Sequence, residues 1–217
     1  MFRRRKSQEP VGATTGEDPE ELARRTGPRA EGPWDVSEVD LHDDDGRIDL
    51  GSLLVTPHEG LELQLQVDEA SGQVAAVVLA GPEAALEVRA FAAPRNGDVW
   101  DAVRRQVAGE VARMGGTATE TDGRWGTELK VSLTVTTPDG GRATQVSRVV
   151  GVAGPRWLLR ATLFGGAAVE YRHDGDVETA LRNVVVVRGS TAVPPGDPLP
   201  LTMPATVQPP VPGADAG

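Results

Sequence analysis

The chain of 217 residues contains no cysteine and carries a formal net charge of −10. Without cysteine, disulfide bonds and thiolate chemistry are excluded. The acidic balance argues against a surface for duplex nucleic acid, because phosphates would be repelled. The acidic excess lies in Asp35–Glu69, with 11 acidic residues against one basic residue, Arg47. The basic residues 3–6 are not followed by an apolar segment, so we expect no secretory signal, no membrane span and a cytoplasmic location.

Residues 1–33 lack hydrophobic periodicity, which predicts a disordered and charged N-terminal tail. Beyond them, apolar and polar residues alternate with a period of two, most regularly from Leu61 to Asp68, a pattern typical of a half-buried strand. Pro and Gly residues separate these segments. Four strands are predicted in this part of the chain: Ile48–Val55, Leu61–Val67, Val74–Leu79 and Leu86–Ala93.

A helix is predicted from Asp98 to Met114. Valines recur there every four residues, and Trp100 widens the apolar stripe to the width that a helix needs when it lies on a sheet. Asn96 or Asp98 is the expected N-cap, and Gly115-Gly116 ends the helix.

The segment Trp125–Phe164 predicts three consecutive antiparallel strands joined by tight turns. A short strand over Thr117–Thr121 precedes it, and a second helix, Val177–Asn183, and an apolar strand, Val184–Val187, follow it. The predicted fold class is α+β: a single domain with a large, mainly antiparallel sheet of seven or eight strands and two helices packed on one face.

No catalytic or metal-binding motif is recognisable. The acidic turn Asp43–Asp49 partly matches a calcium loop, but Leu41 and Ser52 occupy the positions of its first and twelfth ligands. The three histidines do not have metal-site spacing, and neither a Gly-x-Ser-x-Gly turn nor a phosphate-binding loop is present. We therefore expect a protein that is not an enzyme and that has no cofactor and no metal.

Two arginines, Arg148 and Arg160, lie within apolar strands. On hairpin-connected strands they are expected to approach each other, as a basic site for a carboxylate or a phosphate. The alternative is a structural ion pair with a carboxylate of Glu128, Asp101 or Glu170. The other candidate binding residues are Arg95, Arg156 and Trp157. For Trp157, a place in the hydrophobic core is favoured over a role in stacking on a ligand.

Several short segments together resemble a conserved actinobacterial family of unknown function. They are Gly32–Asp35, Asp49–Leu53, Ala90–Arg95, Trp100-Asp101, Gly126–Leu129, Gly154–Arg160, Val185–Ser190 and Met203-Pro204. The resemblance implies a single-domain bacterial cytosolic protein, and composition and resemblance together predict a domain over residues 34–204. It also implies that Gly189–Pro204 is an extended, ordered strap, which leaves residues 205–217 as a disordered tail. It implies no functional residue.

Two functions remain open, and a third is less favoured. The first is a non-catalytic binding or scaffold domain, whose sheet offers a partly apolar face with arginines to a protein partner. The second is a pocket for a small anionic ligand between helix Asp98–Met114 and the sheet, with Arg95, Arg148 and Arg160 as ligand-binding residues. The third, association with nucleic acid, is disfavoured by the acidic balance.

Overall fold

A seven-stranded antiparallel sheet forms the centre of the molecule, in the order β4-β5-β6-β10-β9-β8-β7. The computed structural model describes residues 27, 29–42, 46–95, 99–137 and 139–204. The strands of this sheet are β4 (Glu62–Val67), β5 (Val74–Ala80), β6 (Ala84–Ala92), β7 (Thr117–Gly123), β8 (Gly126–Thr136), β9 (Arg142–Gly154) and β10 (Trp157–Gly165). The predicted α+β fold class with a large antiparallel sheet is thereby confirmed.

A second, smaller sheet has the order β1-β11-β3-β2. Its strands are short: β1 (Trp34–Asp35), β2 (Ile48–Asp49), β3 (Leu53–Val55) and β11 (Val185–Val186). The sequence predicted one continuous strand over Ile48–Val55, and this is wrong. The backbone N–H of Gly51 donates to the side chain of Asp49 (2.8 Å), and Gly51 has a φ of 81°. This turn folds the segment back on itself, so that β2 pairs with β3.

Three α-helices complete the described part of the chain: α1 (Trp100–Arg113), α2 (Gly166–Val169) and α3 (Asp176–Arg182). The two predicted helices correspond to α1 and α3, whereas α2 was not predicted. The expected caps Asn96 and Asp98 lie outside the described residues. None of the helices in the described ranges combines the length and the apolar character that crossing a bilayer requires.

The large sheet has a hydrophobic core on each of its faces. On one face α1 packs over Leu129, Val131, Val149 and Leu158. On the other face α3 and the small sheet pack over alternate residues of the same strands, such as Val150, Leu159 and Ala161. The expectation that both helices share one face is therefore wrong. An apolar stripe identifies a helix but not the side on which it packs, and β10 has apolar residues in both of its registers.

The segment predicted as a strap runs beside the end of β6. Leu199 donates its N–H to the carbonyl of Ala90 (2.8 Å), and Gly196 donates to Ala92 (2.8 Å). Leu199 is buried. Near the N-terminal boundary of the domain, Arg29 forms a salt bridge with Glu38 and lies over the ring of Trp157. Residues 1–26, 28 and 205–217 lie outside the described part of the chain.

Candidate functional site

Arg148 lies at the centre of a buried triad with Glu128 and Glu178. Its Nη1 donates to Oε2 of Glu128 at 3.1 Å, its Nη2 donates to Oε1 of Glu178, and its Nε donates to the carbonyl of Ala167 at 3.0 Å. The exposed fractions of Arg148, Glu128 and Glu178 are 3%, 2% and 1%. Of the three acidic partners that the sequence suggested for Arg148, Glu128 is in place. The second partner, Glu178, was missed.

Trp125 completes the hydrogen bonding of the triad. Its backbone N–H donates to Oε1 of Glu128 at 3.0 Å, and its indole N–H donates to Oε2 of Glu178 at 3.4 Å. Burial raises the pKa of Glu178, and the nearby guanidinium of Arg148 only partly opposes this effect. The triad therefore contains two carboxyl groups for one guanidinium, and we interpret it as a structural network rather than a ligand site.

Arg160 lies on the opposite face of the sheet from Arg148. In the β9–β10 register, Arg148 stands opposite Leu163, whereas Arg160 stands opposite Gly151. Because successive side chains of a strand point to opposite faces, this register separates the two guanidinium groups by the thickness of the sheet. The expected approach of Arg148 to Arg160 is therefore wrong.

The residue that does meet Arg160 is Arg89. The two arginines are direct cross-strand partners between β6 and β10. Their guanidinium carbons lie 5.9 Å (Arg89) and 5.3 Å (Arg160) from the ring centroid of Phe91, which is within the range of cation–π contacts. We call Arg89 and Arg160 the arginine pair. The sequence contained one signal for it, since Arg89 also interrupts an apolar strand.

The arginine pair makes no salt bridge with a carboxylate of the described residues. Neither guanidinium has a carboxylate of a described residue within 4.0 Å, and the buried Nε of Arg89 has no hydrogen-bond acceptor in that part of the chain. Burial lowers the pKa of Arg160, and the charge of Arg89 lowers it further, against weaker opposing effects of Glu87 and Glu110. Like charges that stand directly opposite each other on adjacent strands destabilise a sheet.

Two cavities flank the arginine pair. One, of about 580 Å³, is lined by Arg89, by the β4–β5 turn with Asp68 and Ser71, and by the strap with Pro198 and Met203. The other, of about 70 Å³, lies between Arg160, Phe91 and the valines of α1. The pocket predicted between the helix and the sheet is thus much smaller than an ordinary ligand pocket.

The remaining predicted site residues lie elsewhere. Arg95 and Arg156 are exposed and line a separate cavity of about 500 Å³ with Arg188 and the start of the strap. Trp157 is fully buried, and its indole N–H donates to Asp35 at 2.7 Å. The structure therefore brings Arg95 and Arg156 together, but it leaves Arg148 and Arg160 apart from them and from each other.

Fold and site together define a class of protein: an α+β domain with a hydrophobic core on each face of one antiparallel sheet and with the arginine pair on the part of one face that α1 leaves open. Residues 32–209 match a family model described as "Protein of unknown function (DUF3710)". The chain belongs to this family, which confirms the predicted resemblance to a family of unknown function. A comparison with curated proteins gives no match.

Proposed function

We propose that this protein is a non-catalytic binding domain, and that it docks an acidic segment of a protein partner on the open half-face of its large sheet. This open half-face is the part of the α1 side that belongs to β4, β5, β6 and β10. Its side chains include Gln64, Val78, Glu87, Arg89, Arg160, Thr162 and Phe164.

The arrangement of α1 leaves this half-face open. The helix packs chiefly against β7, β8 and β9, and so it covers the other half of the same face. Gln64 is exposed, and Val78, Thr162 and Phe164 are half-buried rather than enclosed. A mixed polar and apolar surface of this kind suits a docked polypeptide better than a deep ligand pocket.

The observation that carries the proposal is an arginine pair that makes no salt bridge with any described carboxylate. A desolvated guanidinium is costly unless a carboxylate or phosphate offsets its charge. A carboxylate placed between Arg89 and Arg160 accepts hydrogen bonds from both and removes their mutual repulsion. Arginine beside an aromatic ring is also a common composition at the centre of protein interfaces.

A binding measurement with a defined acidic peptide tests the proposal. A fluorescein-labelled peptide of alternating Glu and Leu is titrated with the full chain and followed by fluorescence anisotropy, with the Gln-for-Glu peptide as its neutral counterpart. We expect saturable, salt-sensitive binding of the acidic peptide only. The Arg89→Gln/Arg160→Gln variant loses this binding, whereas Arg142→Gln, at the exposed first residue of β9, retains it. Equal binding by the two variants contradicts the proposal.

A small anionic ligand is the second candidate, because the cavity beside Arg89 has the volume of an ordinary ligand pocket. Calorimetry with phosphate and citrate distinguishes it from the first. The second candidate is favoured if phosphate or citrate binds, if Arg89→Gln abolishes that binding, and if the acidic peptide does not bind.

A further inference from the structure

A cavity of about 230 Å³ lies on the α3 side of the molecule, away from the arginine pair. It is bounded by the β5–β6 turn with Pro82 and Ala84, by the start of α2 with Ala167, and by the first turn of α3 with Val177; Leu61 completes the apolar wall. This volume is somewhat below that of typical ligand pockets. It therefore suits a compact molecule with an aliphatic body.

The charged residues that line this cavity are mostly acidic. Glu83, Glu170 and Asp176 are exposed at its rim, and Arg172 is the one basic residue among its lining residues. Free N–H groups in the first turn of a helix favour anions. In α3 that turn already holds two carboxyl groups of its own, Asp176 and Glu178.

The buried triad lies directly behind one wall of the cavity. Glu178 both lines the cavity and pairs with Arg148, which also pairs with Glu128. Two buried carboxyl groups thus share one guanidinium. A buried charge without a counter-charge is unfavourable, so a positive group in the cavity stabilises the ionised triad.

We propose that this cavity binds a small organic cation, an amine or a guanidine on a short aliphatic body. The apolar wall takes the aliphatic body, and the positive group lies toward the rim carboxylates and Glu178. The inference does not depend on the arginine pair, since the two sites lie on opposite faces of the sheet.

The test uses n-butylammonium as the probe, with 1-butanol and butyrate as neutral and anionic probes of similar size. The backbone amide signals of the full-length chain are followed by NMR. We expect n-butylammonium to shift the signals of Ala84 and Ala167 saturably, and the other two probes to leave them unchanged. If 1-butanol shifts the same signals and binds as tightly as n-butylammonium, the proposal is overturned, because the cavity then does not select for positive charge.

A rim variant provides the second readout. Glu83→Gln/Glu170→Gln removes two exposed carboxylates and is expected to weaken n-butylammonium binding by about three- to tenfold. Asp40→Asn/Glu69→Gln removes two exposed carboxylates elsewhere and is expected to bind as the wild type does. Unchanged affinity in the rim variant, or no shift of Ala84 and Ala167 with any probe, overturns the proposal.

Discussion

Arg160 on β10 stands directly opposite Arg89 on β6, and both guanidinium groups lie over the ring of Phe91. In a chain with a net charge of −10, these two arginines share one aromatic ring and make no salt bridge with a described carboxylate. This relationship distinguishes them from Arg148, which two carboxyl groups satisfy.

The arginine pair is expected to be repulsive in the free protein. A double-mutant cycle with Arg89→Gln, Arg160→Gln and the double variant isolates the interaction between the two side chains. We expect an unfavourable coupling of about 0.2–1 kcal/mol, which is the size found for cross-strand pairs. Urea unfolding measures it, and added salt should reduce it. A favourable coupling contradicts the view that the pair lacks a counter-charge.

The buried triad is expected to respond strongly to the loss of its cation. Arg148→Met leaves two carboxyl groups buried without a guanidinium, which should lower the free energy of unfolding by about 3–5 kcal/mol. Adding Glu128→Gln and Glu178→Gln to that variant should restore part of the loss, because the uncompensated charges are removed. Chemical denaturation gives both values. If Arg148→Met costs no more than Arg142→Met at the exposed start of β9, the triad is not a structural network.

Glu178 is expected to make stability depend on pH. Burial raises its pKa above the ordinary value of 4.5, so the folded protein holds this proton at pH values where the unfolded chain has lost it. The free energy of unfolding then falls as pH rises from 4.5 through the folded pKa. Glu178→Gln keeps this position neutral at every pH. The free energy of unfolding of this variant, relative to that of the wild type, should therefore increase as pH rises through that window.

Urea unfolding of both proteins between about pH 4 and about pH 8 checks this prediction, since the window begins at the ordinary carboxyl pKa. Glu62→Gln, at an exposed position of β4, serves as the control. A stability difference between wild type and Glu178→Gln that stays constant across the range is inconsistent with a raised pKa.

Two glycines should respond in opposite directions to alanine. A Cβ at Gly151 would overlap the indole ring of Trp100, which anchors α1 through a 2.7 Å hydrogen bond to the carbonyl of Thr127. Gly151→Ala should therefore cost about 1–3 kcal/mol. Gly109 lies inside α1 with space around it, so Gly109→Ala should stabilise the protein by about 0.5–1 kcal/mol. Thermal unfolding compares the two, and a destabilising Gly109→Ala or a neutral Gly151→Ala contradicts this description of the packing of α1.

Local patterns in the sequence account for much of the fold. Strands β4 and β8 and helix α1 follow from period-two and near-period-four apolar residues, because each element buries a face whose spacing its own backbone sets. The turn at Asp49–Gly51 escaped prediction because the apolar residues on both sides of it continue as if the strand were unbroken. The side on which each helix packs was not predicted, because both registers of Trp157–Phe164 contain apolar residues.

The candidate site depends on pairings that are remote in sequence. Arg160 and Arg89 meet because β10 pairs with β6 across an intervening helix and three strands. Nothing local to either strand determines that register. Glu178 reaches Arg148 for a similar reason, since it lies on a short helix that packs over the sheet. The hairpin between β9 and β10 was predicted, but its exact register, which separates Arg148 from Arg160, was not.

The most direct test follows the side-chain Nε–H signals of the arginines by NMR while the full chain is titrated with the peptide of alternating Glu and Leu. Arg148 is an internal control, because its Nε already donates to the carbonyl of Ala167. We predict that the signals of Arg89 and Arg160 shift together and saturate, and that the signal of Arg148 stays unchanged. Unshifted signals of Arg89 and Arg160, or equal shifts of all the exposed arginines, would contradict an anion-binding arginine pair.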